Sequence, residues 1–151
     1  MKCPDRSPKA GFTLVEVMIV VIMIGITSLR TAPKLRDALS RTTVRSARSN
    51  LIALYQQARG SAIETGRVTT LSFAGNVALL TATPRLSGAG TVDTIGNPQN
   101  FFLLYQVTVT PGGPLAVDPR GLGSSVATTI YLQRDGYTDS VTVSGFGRLI
   151  K

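Results

Sequence analysis

The chain has 151 residues and a net charge of +8, from 16 Lys and Arg against 8 Asp and Glu, and it contains no histidine. Without histidine, Ser-His-Asp and Cys-His catalytic sites are excluded. Cys3 is the only cysteine, which excludes an internal disulfide and a thiolate metal site in the chain that follows it. The length predicts one domain, and the positive charge permits binding to nucleic acid or to anionic lipid headgroups.

Residues 12–29 form an apolar run in which Glu16 is the only charged residue. Its length is near the lower limit for a helix that crosses the roughly 30 Å hydrocarbon layer. Basic residues in segment 1–11 favour a cytoplasmic N-terminus. A carboxylate at the centre of a membrane helix costs on the order of 3 kcal/mol. Glu16 therefore needs a partner that compensates for this cost.

Residues 9–16 read KAGFTLVE, immediately ahead of the rest of the apolar run. This stretch resembles the leader and mature start of type IV pilins and of the pseudopilins of type II secretion. The resemblance implies that a prepilin peptidase cuts between Gly11 and Phe12, removes the leader 1–11 and methylates the new N-terminus at Phe12. We interpret Glu16 as the partner of the Phe12 amino group of a neighbouring subunit, which pairs both charges only on assembly. The alternative is a plain signal anchor with a buried glutamate.

The apolar run leads into a longer helix that we expect to extend from residue 12 to residue 65. Pro33 is predicted to kink or locally open it, and pilins commonly have a proline at this distance from the mature N-terminus. The alternative is a simple break between anchor and domain. Gly66 is the predicted C-cap. An apolar stripe with spacings of three, four and once five residues follows Pro33: Leu35, Leu39, Thr42, Ala47, Leu51, Leu54 and Ala58.

The sequence pattern of residues 67–151 predicts a β-rich globular domain. We expect a loop over residues 87–100, and strands over residues 68–73, 76–83, 101–110, 126–133, 140–143 and 148–151. The first two strands form a short hairpin, and Asp135-Gly136 is a turn. The predicted fold class is α+β and pilin-like. A long N-terminal helix, transmembrane over 12–29 and periplasmic over 30–66, packs its second half on a C-terminal antiparallel sheet or small sandwich.

Two further stretches narrow the resemblance. Residues 54–71 are similar to the helix end and first strand of the GspH/FimT group, and residues 141–150 are similar to its last hairpin. The first hypothesis is a GspH-like minor pseudopilin that supports protein secretion by the type II system. The alternative is a FimT-like minor type IV pilin with a role in pilus biogenesis and DNA uptake. A third hypothesis is a monomeric, membrane-anchored periplasmic domain.

The DNA-binding alternative depends on the C-terminus. Some FimT-type proteins bind DNA through a Gly-Arg-x-Arg element, of which this chain keeps Arg148 but has Ile150 in place of the second arginine. Lys151 follows one position late. Arg134 and Arg120 are further candidates for phosphate contacts, which depend on charge more than on geometry. The alternative is that Arg148 protects a sheet edge from aggregation.

Two acids in one turn region, Asp135 and Asp139, are candidates for a Ca²⁺ site, or are simply solvated. We expect no enzymatic activity and no cofactor. The resemblance implies four kinds of partner: other pilin or pseudopilin subunits, the prepilin peptidase and methyltransferase, inner-membrane lipid and an inner-membrane assembly platform. It places the chain in the bacterial inner membrane, single-pass, with the C-terminal domain in the periplasm until the filament assembles.

Overall fold

The computed structural model describes residues 11–84, 92–123 and 126–150, without the side chains of residues 29–33. The chain divides into two compact units, Met1–Arg36 and Asp37–Lys151. Lys151 and part of the predicted loop over 87–100 lie outside the described residues.

Helix α1 spans Leu14–Thr65. It ends where Gly66 adopts a left-handed conformation with a φ of 65°, which confirms the predicted C-cap, because glycine takes this conformation without a steric penalty. The backbone stays helical through Pro33. The alternative of a simple break at this proline is therefore wrong, whereas the kink stays a prediction.

In the second unit, α1 packs through a stripe of fully or almost fully buried side chains that starts at Ser40. The predicted stripe is wrong at its beginning, since Leu35, Leu39 and Thr42 are exposed. Both stripes have helical spacing, and burial distinguishes them. Ser40 is 3% exposed, and its Oγ donates to Asp135 Oδ2 at 2.9 Å. The apolar members of the observed stripe are Val44, Ala47, Leu51, Leu54, Tyr55, Ala58 and Ala62.

The elements after α1 are, in chain order, β1 (Thr69–Ala74), β2 (Val77–Ala82), β3 (Asp93–Thr94), β4 (Gln99–Asn100), α2 (Phe101–Tyr105), β5 (Thr108–Thr110), β6 (Leu115–Val117), β7 (Thr128–Arg134), β8 (Tyr137–Val143) and β9 (Leu149–Ile150). All their pairings are antiparallel. One sheet has the order β3-β2-β1-β6, with β4 also paired to β2, and the other has the order β5-β7-β8-β9.

Buried side chains of α1 and of both sheets form one core. Thr69 is fully buried, and its hydroxyl donates to the carbonyl of Ala58 at 2.8 Å, which ties β1 to α1. The predicted α+β class, with a helix packed on antiparallel sheet, is confirmed. The predicted first hairpin, formed by β1 and β2, and the predicted turn at Asp135 and Gly136 are also confirmed.

The predicted strand over residues 101–110 is wrong in its first half. Residues Phe101–Tyr105 form the short helix α2, and only Thr108–Thr110 is a strand. The reason lies at the start of this segment. Asn100 caps α2, because its side-chain oxygen accepts from the N–H groups of Phe102 at 3.0 Å and Leu103 at 3.1 Å. Local capping therefore overrides the strand propensity of the aromatic residues.

Candidate functional site

The start of α1 is organised by Thr13 and Glu16. The backbone N–H of Glu16 donates to Thr13 Oγ1 at 3.2 Å, so Thr13 caps the helix and Glu16 lies in its first turn. The helix dipole favours a negative charge at this position. The sequence pattern Thr-x-x-Glu, which the predictions above do not use, is that of a capping box.

The Glu16 carboxylate has no hydrogen-bond or ion-pair partner among the residues that the structure describes. A shallow groove beside it is lined by Phe12, Glu16, Val17, Val20 and Val21. Every residue from 11 to 28 is exposed. The segment thus presents a free carboxylate within an uncovered apolar surface, which is the arrangement expected of a group that finds its partner on another molecule.

Gly11 and Phe12, the residues of the predicted cleavage site, precede the helix and are exposed. A Cβ atom built on Gly11 would meet no other atom within 4 Å. The peptide bond between these residues is therefore accessible. Pro33, the third residue predicted to act in assembly, lies within α1, and its side chain is outside the described residues.

One of the candidate phosphate-binding residues, Arg134, makes its side-chain contacts within the fold. Arg134 ends β7 and holds α2: its Nη1 donates to the Tyr105 carbonyl and its Nη2 to Gln106 Oε1, both at 3.0 Å. Its Nε also donates to Asp135 Oδ2 at 3.3 Å. Because each of its three nitrogens has an acceptor within the fold, Arg134 has a structural role.

Arg148 is exposed and lies in the turn between β8 and β9, and Arg120 is exposed in the loop after β6. These two segments approach each other closely, since a Cβ atom on Gly123 would lie 2.8 Å from the Gly147 nitrogen. Lys151 is outside the described residues. The structure adds one residue that sequence reasoning missed: Phe146, at the tip of the Arg148 turn, is 84% exposed.

Tyr55 holds the turn between β8 and β9 through a hydrogen bond. Its hydroxyl donates to the Gly147 carbonyl at 3.3 Å, and its side chain is fully buried. Burial raises the pKa of Tyr55 above its ordinary value of 10.0, and the nearby positive charge of Arg59 opposes this rise. The turn that carries Phe146 and Arg148 is therefore anchored on the core helix.

The two candidate calcium ligands are each engaged by α1. Asp139 accepts from Arg48 Nη1 at 3.1 Å, and Asp135 accepts from Ser40. Within the described part of the chain, no group of three or more His, Cys, Asp or Glu side chains could hold a metal ion. The arrangement gives both carboxylates a role in docking the β7–β8 hairpin on α1.

A search of the described residues finds no helix that is both long enough and apolar enough to cross a membrane. The membrane span over residues 12–29 stays a prediction.

Comparison with known proteins bears on the N-terminus and on the fold. The family model for the prokaryotic N-terminal methylation motif matches residues 6–29. No curated protein matches the chain. A crystal structure of the type IV minor pilin FimU of Pseudomonas aeruginosa (strain PAO1), in space group P21, has a TM-score of 0.55 and 18% identity, covering 73% of this chain and 88% of FimU.

The same protein in space group P65 has a TM-score of 0.51 and 18% identity, covering 70% of this chain and 90% of FimU. At this identity the likeness shows the fold. Together, the N-terminal motif and the fold support the type IV pilin family.

Proposed function

We propose that this chain, with the N-terminal motif and the fold of type IV pilins, is a minor subunit of a pilin-type filament. The observation that carries the proposal is that Glu16, in the exposed apolar start of α1, has no partner among the described residues. The chain is a structural component, and its role is not enzymatic. The prepilin peptidase is an enzyme that acts on it, at the accessible bond between Gly11 and Phe12.

Cleavage creates a new charge close to Glu16. The amino group that cleavage leaves on Phe12 is a cation when it is protonated. Before assembly, residues 12–29 anchor the subunit in the inner membrane, where neither charge is well solvated. A neighbouring subunit's Phe12 amine neutralises Glu16, so that pairing favours the assembled state and fixes the axial register of the helices.

The filament has two candidate identities. The fold likeness to the minor pilin FimU supports a type IV pilus. The second is a GspH-like role in the pseudopilus of type II secretion, supported by the sequence resemblance of residues 54–71 and 141–150. Deletion of the chain's gene separates them: a pilus subunit affects surface pili, and a pseudopilus subunit affects release of folded proteins.

The test of subunit function compares three full-length chains in the native host: wild type, Glu16→Ala and Glu64→Ala. Glu64 is an exposed acid near the other end of the same helix, so its variant controls for loss of one charge. We expect Glu16→Ala to reduce the amount of chain in sheared filaments by at least about tenfold, with cleavage retained. Wild-type incorporation of Glu16→Ala would contradict the proposal. Mass spectrometry of the mature N-terminus should show N-methylated Phe12.

DNA binding is a second candidate function, favoured by the exposure of both Phe146 and Arg148 on one anchored turn. Cations contact phosphates, and an exposed aromatic ring provides a stacking surface for bases. In gel shifts of the full chain in detergent, Arg148→Ala should weaken DNA binding. It should also reduce the slope of the logarithm of the binding constant against the logarithm of salt concentration by about one, which corresponds to one lost phosphate contact. Arg134→Ala should leave binding unchanged. Absence of a shift at low salt would remove this function.

A further inference from the structure

Helix α2 exposes three consecutive large apolar side chains. Phe102 is 51% exposed, Leu103 79% and Leu104 60%. We call these three residues the α2 patch. Scattered apolar residues are normal on a protein surface, but a contiguous group on one short element indicates an interaction site.

A buried side chain and hydrogen bonds at both ends of α2 hold the α2 patch in place. Phe101 is fully buried and anchors the first turn of α2 in the core, and its N–H donates to the Asn76 carbonyl at 2.9 Å. Asn100 caps the start of the helix. Arg134 clamps its end through Tyr105 and Gln106. Because these polar contacts lie on both sides of the patch, the three apolar side chains are displayed at little cost in further ordering.

The size of the patch indicates the kind of contact. Three side chains of this type with these exposures present on the order of 300 Å², whereas a stable interface buries about 800 Å² on each partner. The α2 patch is therefore too small to hold a dimer together by itself. A patch of this size can still contribute a contact between two molecules that a different part of the chain already holds together, because their effective concentration is then high.

The charge of the surrounding chain argues against a lipid surface as the occupant. Between Asp93 and Asp118 the sequence has no charged residue. The guanidinium of Arg134, which contacts the end of α2, donates to Tyr105 and Gln106 within the fold. Interfacial helices that bind lipid bring lysine or arginine to anionic headgroups, and α2 has none to bring.

We propose that the α2 patch docks on the globular unit of an adjacent pilin-type subunit in the filament. This inference rests on the proposed filament function. The N-terminal helices supply the main association, and the α2 patch adds a weak apolar contact that selects the neighbour. Phe102, Leu103 and Leu104 are the residues that contact it.

Site-directed photocrosslinking tests this contact. Cys3 is the only cysteine and lies ahead of the predicted cleavage point, so a benzophenone maleimide can be coupled to the mature full-length chain through Leu103→Cys. The control is Val126→Cys, at a residue that is also apolar and 85% exposed. In filaments we expect the probe at position 103 to give at least about fivefold more adduct with a pilin-type subunit than the probe at position 126. The adduct should disappear in a Glu16→Ala background.

Three results would overturn the contact while leaving the filament function intact: equal adducts at both positions, an adduct only with lipid, or an adduct that persists with Glu16→Ala although this variant is absent from filaments. Absence of the unmodified chain from filaments would instead contradict the filament function itself. A second variant, Leu103→Asp, should lower incorporation about tenfold with an unchanged melting temperature, since this side chain is mostly exposed. Normal incorporation of Leu103→Asp would also overturn the contact.

Discussion

Arg134 on β7 and Gln106 at the end of α2 are joined by a hydrogen bond of 3.0 Å between Nη2 and Oε1. Gln106 has a φ of 53°, a left-handed conformation that is uncommon for a residue other than glycine. A second bond from Arg134 satisfies the Tyr105 carbonyl, one of the groups that a helix end leaves unpaired. The arginine thus fixes how α2 ends.

Arg134→Ala should lower the free energy of unfolding by about 1–2 kcal/mol, because it removes charge-assisted hydrogen bonds to a partly buried helix end. Chemical denaturation of the full chain in detergent measures this change. Arg148→Ala is the matched control and should change stability by no more than about 0.5 kcal/mol. Equal effects of both variants would contradict the structural role of Arg134.

Asp139→Ala should destabilise the protein by about 2 kcal/mol, since it leaves the guanidinium of Arg48 largely buried without its partner. The side chains of Arg48 and Asp139 are only 19% and 20% exposed. Asp93→Ala is the comparison, because Asp93 is 61% exposed in its ion pair with Arg67. Its effect should stay below about 1 kcal/mol. If Asp93→Ala destabilised the protein more than Asp139→Ala, burial would not be what determines the contribution of these two ion pairs to stability.

Tyr55 should make the fold sensitive to alkaline pH. Because its pKa is raised in the folded state, the unfolded chain loses the hydroxyl proton first, and stability falls as pH rises above about 10. Tyr55→Phe should cost about 1 kcal/mol at neutral pH through the lost bond to Gly147. The variant should show a smaller decrease between pH 8 and pH 11. Parallel stability curves for the two proteins would contradict this prediction.

Gly147→Ala should be among the more damaging small substitutions. Gly147 has a φ of 79°, and a Cβ atom there would lie 2.8 Å from the Gly123 nitrogen and 2.9 Å from the Tyr55 hydroxyl. Gly75→Ala isolates the conformational term, since Gly75 has a φ of 61° and open space around it. We expect a loss of about 1 kcal/mol for Gly75→Ala and at least about 2 kcal/mol for Gly147→Ala. Melting temperatures of the two variants measure the difference.

The sequence predicted the features that local chemistry decides. Gly66 was recognisable as a C-cap because it follows a long helical pattern, and Asp135-Gly136 as a hairpin turn because both residues tolerate a positive φ. The N-terminal motif was readable for the same reason, since its residues are contiguous in the chain.

The sequence could not predict relationships between distant residues. Leu39 and Ser40 both fit a helical stripe, and only the folded structure, in which Ser40 is 3% exposed and Leu39 55%, shows which face is buried. Arg134 was selected for its charge, and its use in α2 depends on a contact across 28 residues. The misassigned strand over residues 101–110 contained a usable signal, the capping residue Asn100, which strand propensity outweighed in our prediction.

The exposed apolar surface of residues 12–28 has a thermodynamic consequence for the whole chain. These side chains are not buried by the fold. They therefore contribute hydrophobic stabilisation only when lipid, detergent or another subunit covers them. Whatever covers it acts as a ligand of the folded chain, and apparent stability depends on the concentration of that ligand. A melting temperature of this protein is thus a property of the chain together with its surroundings.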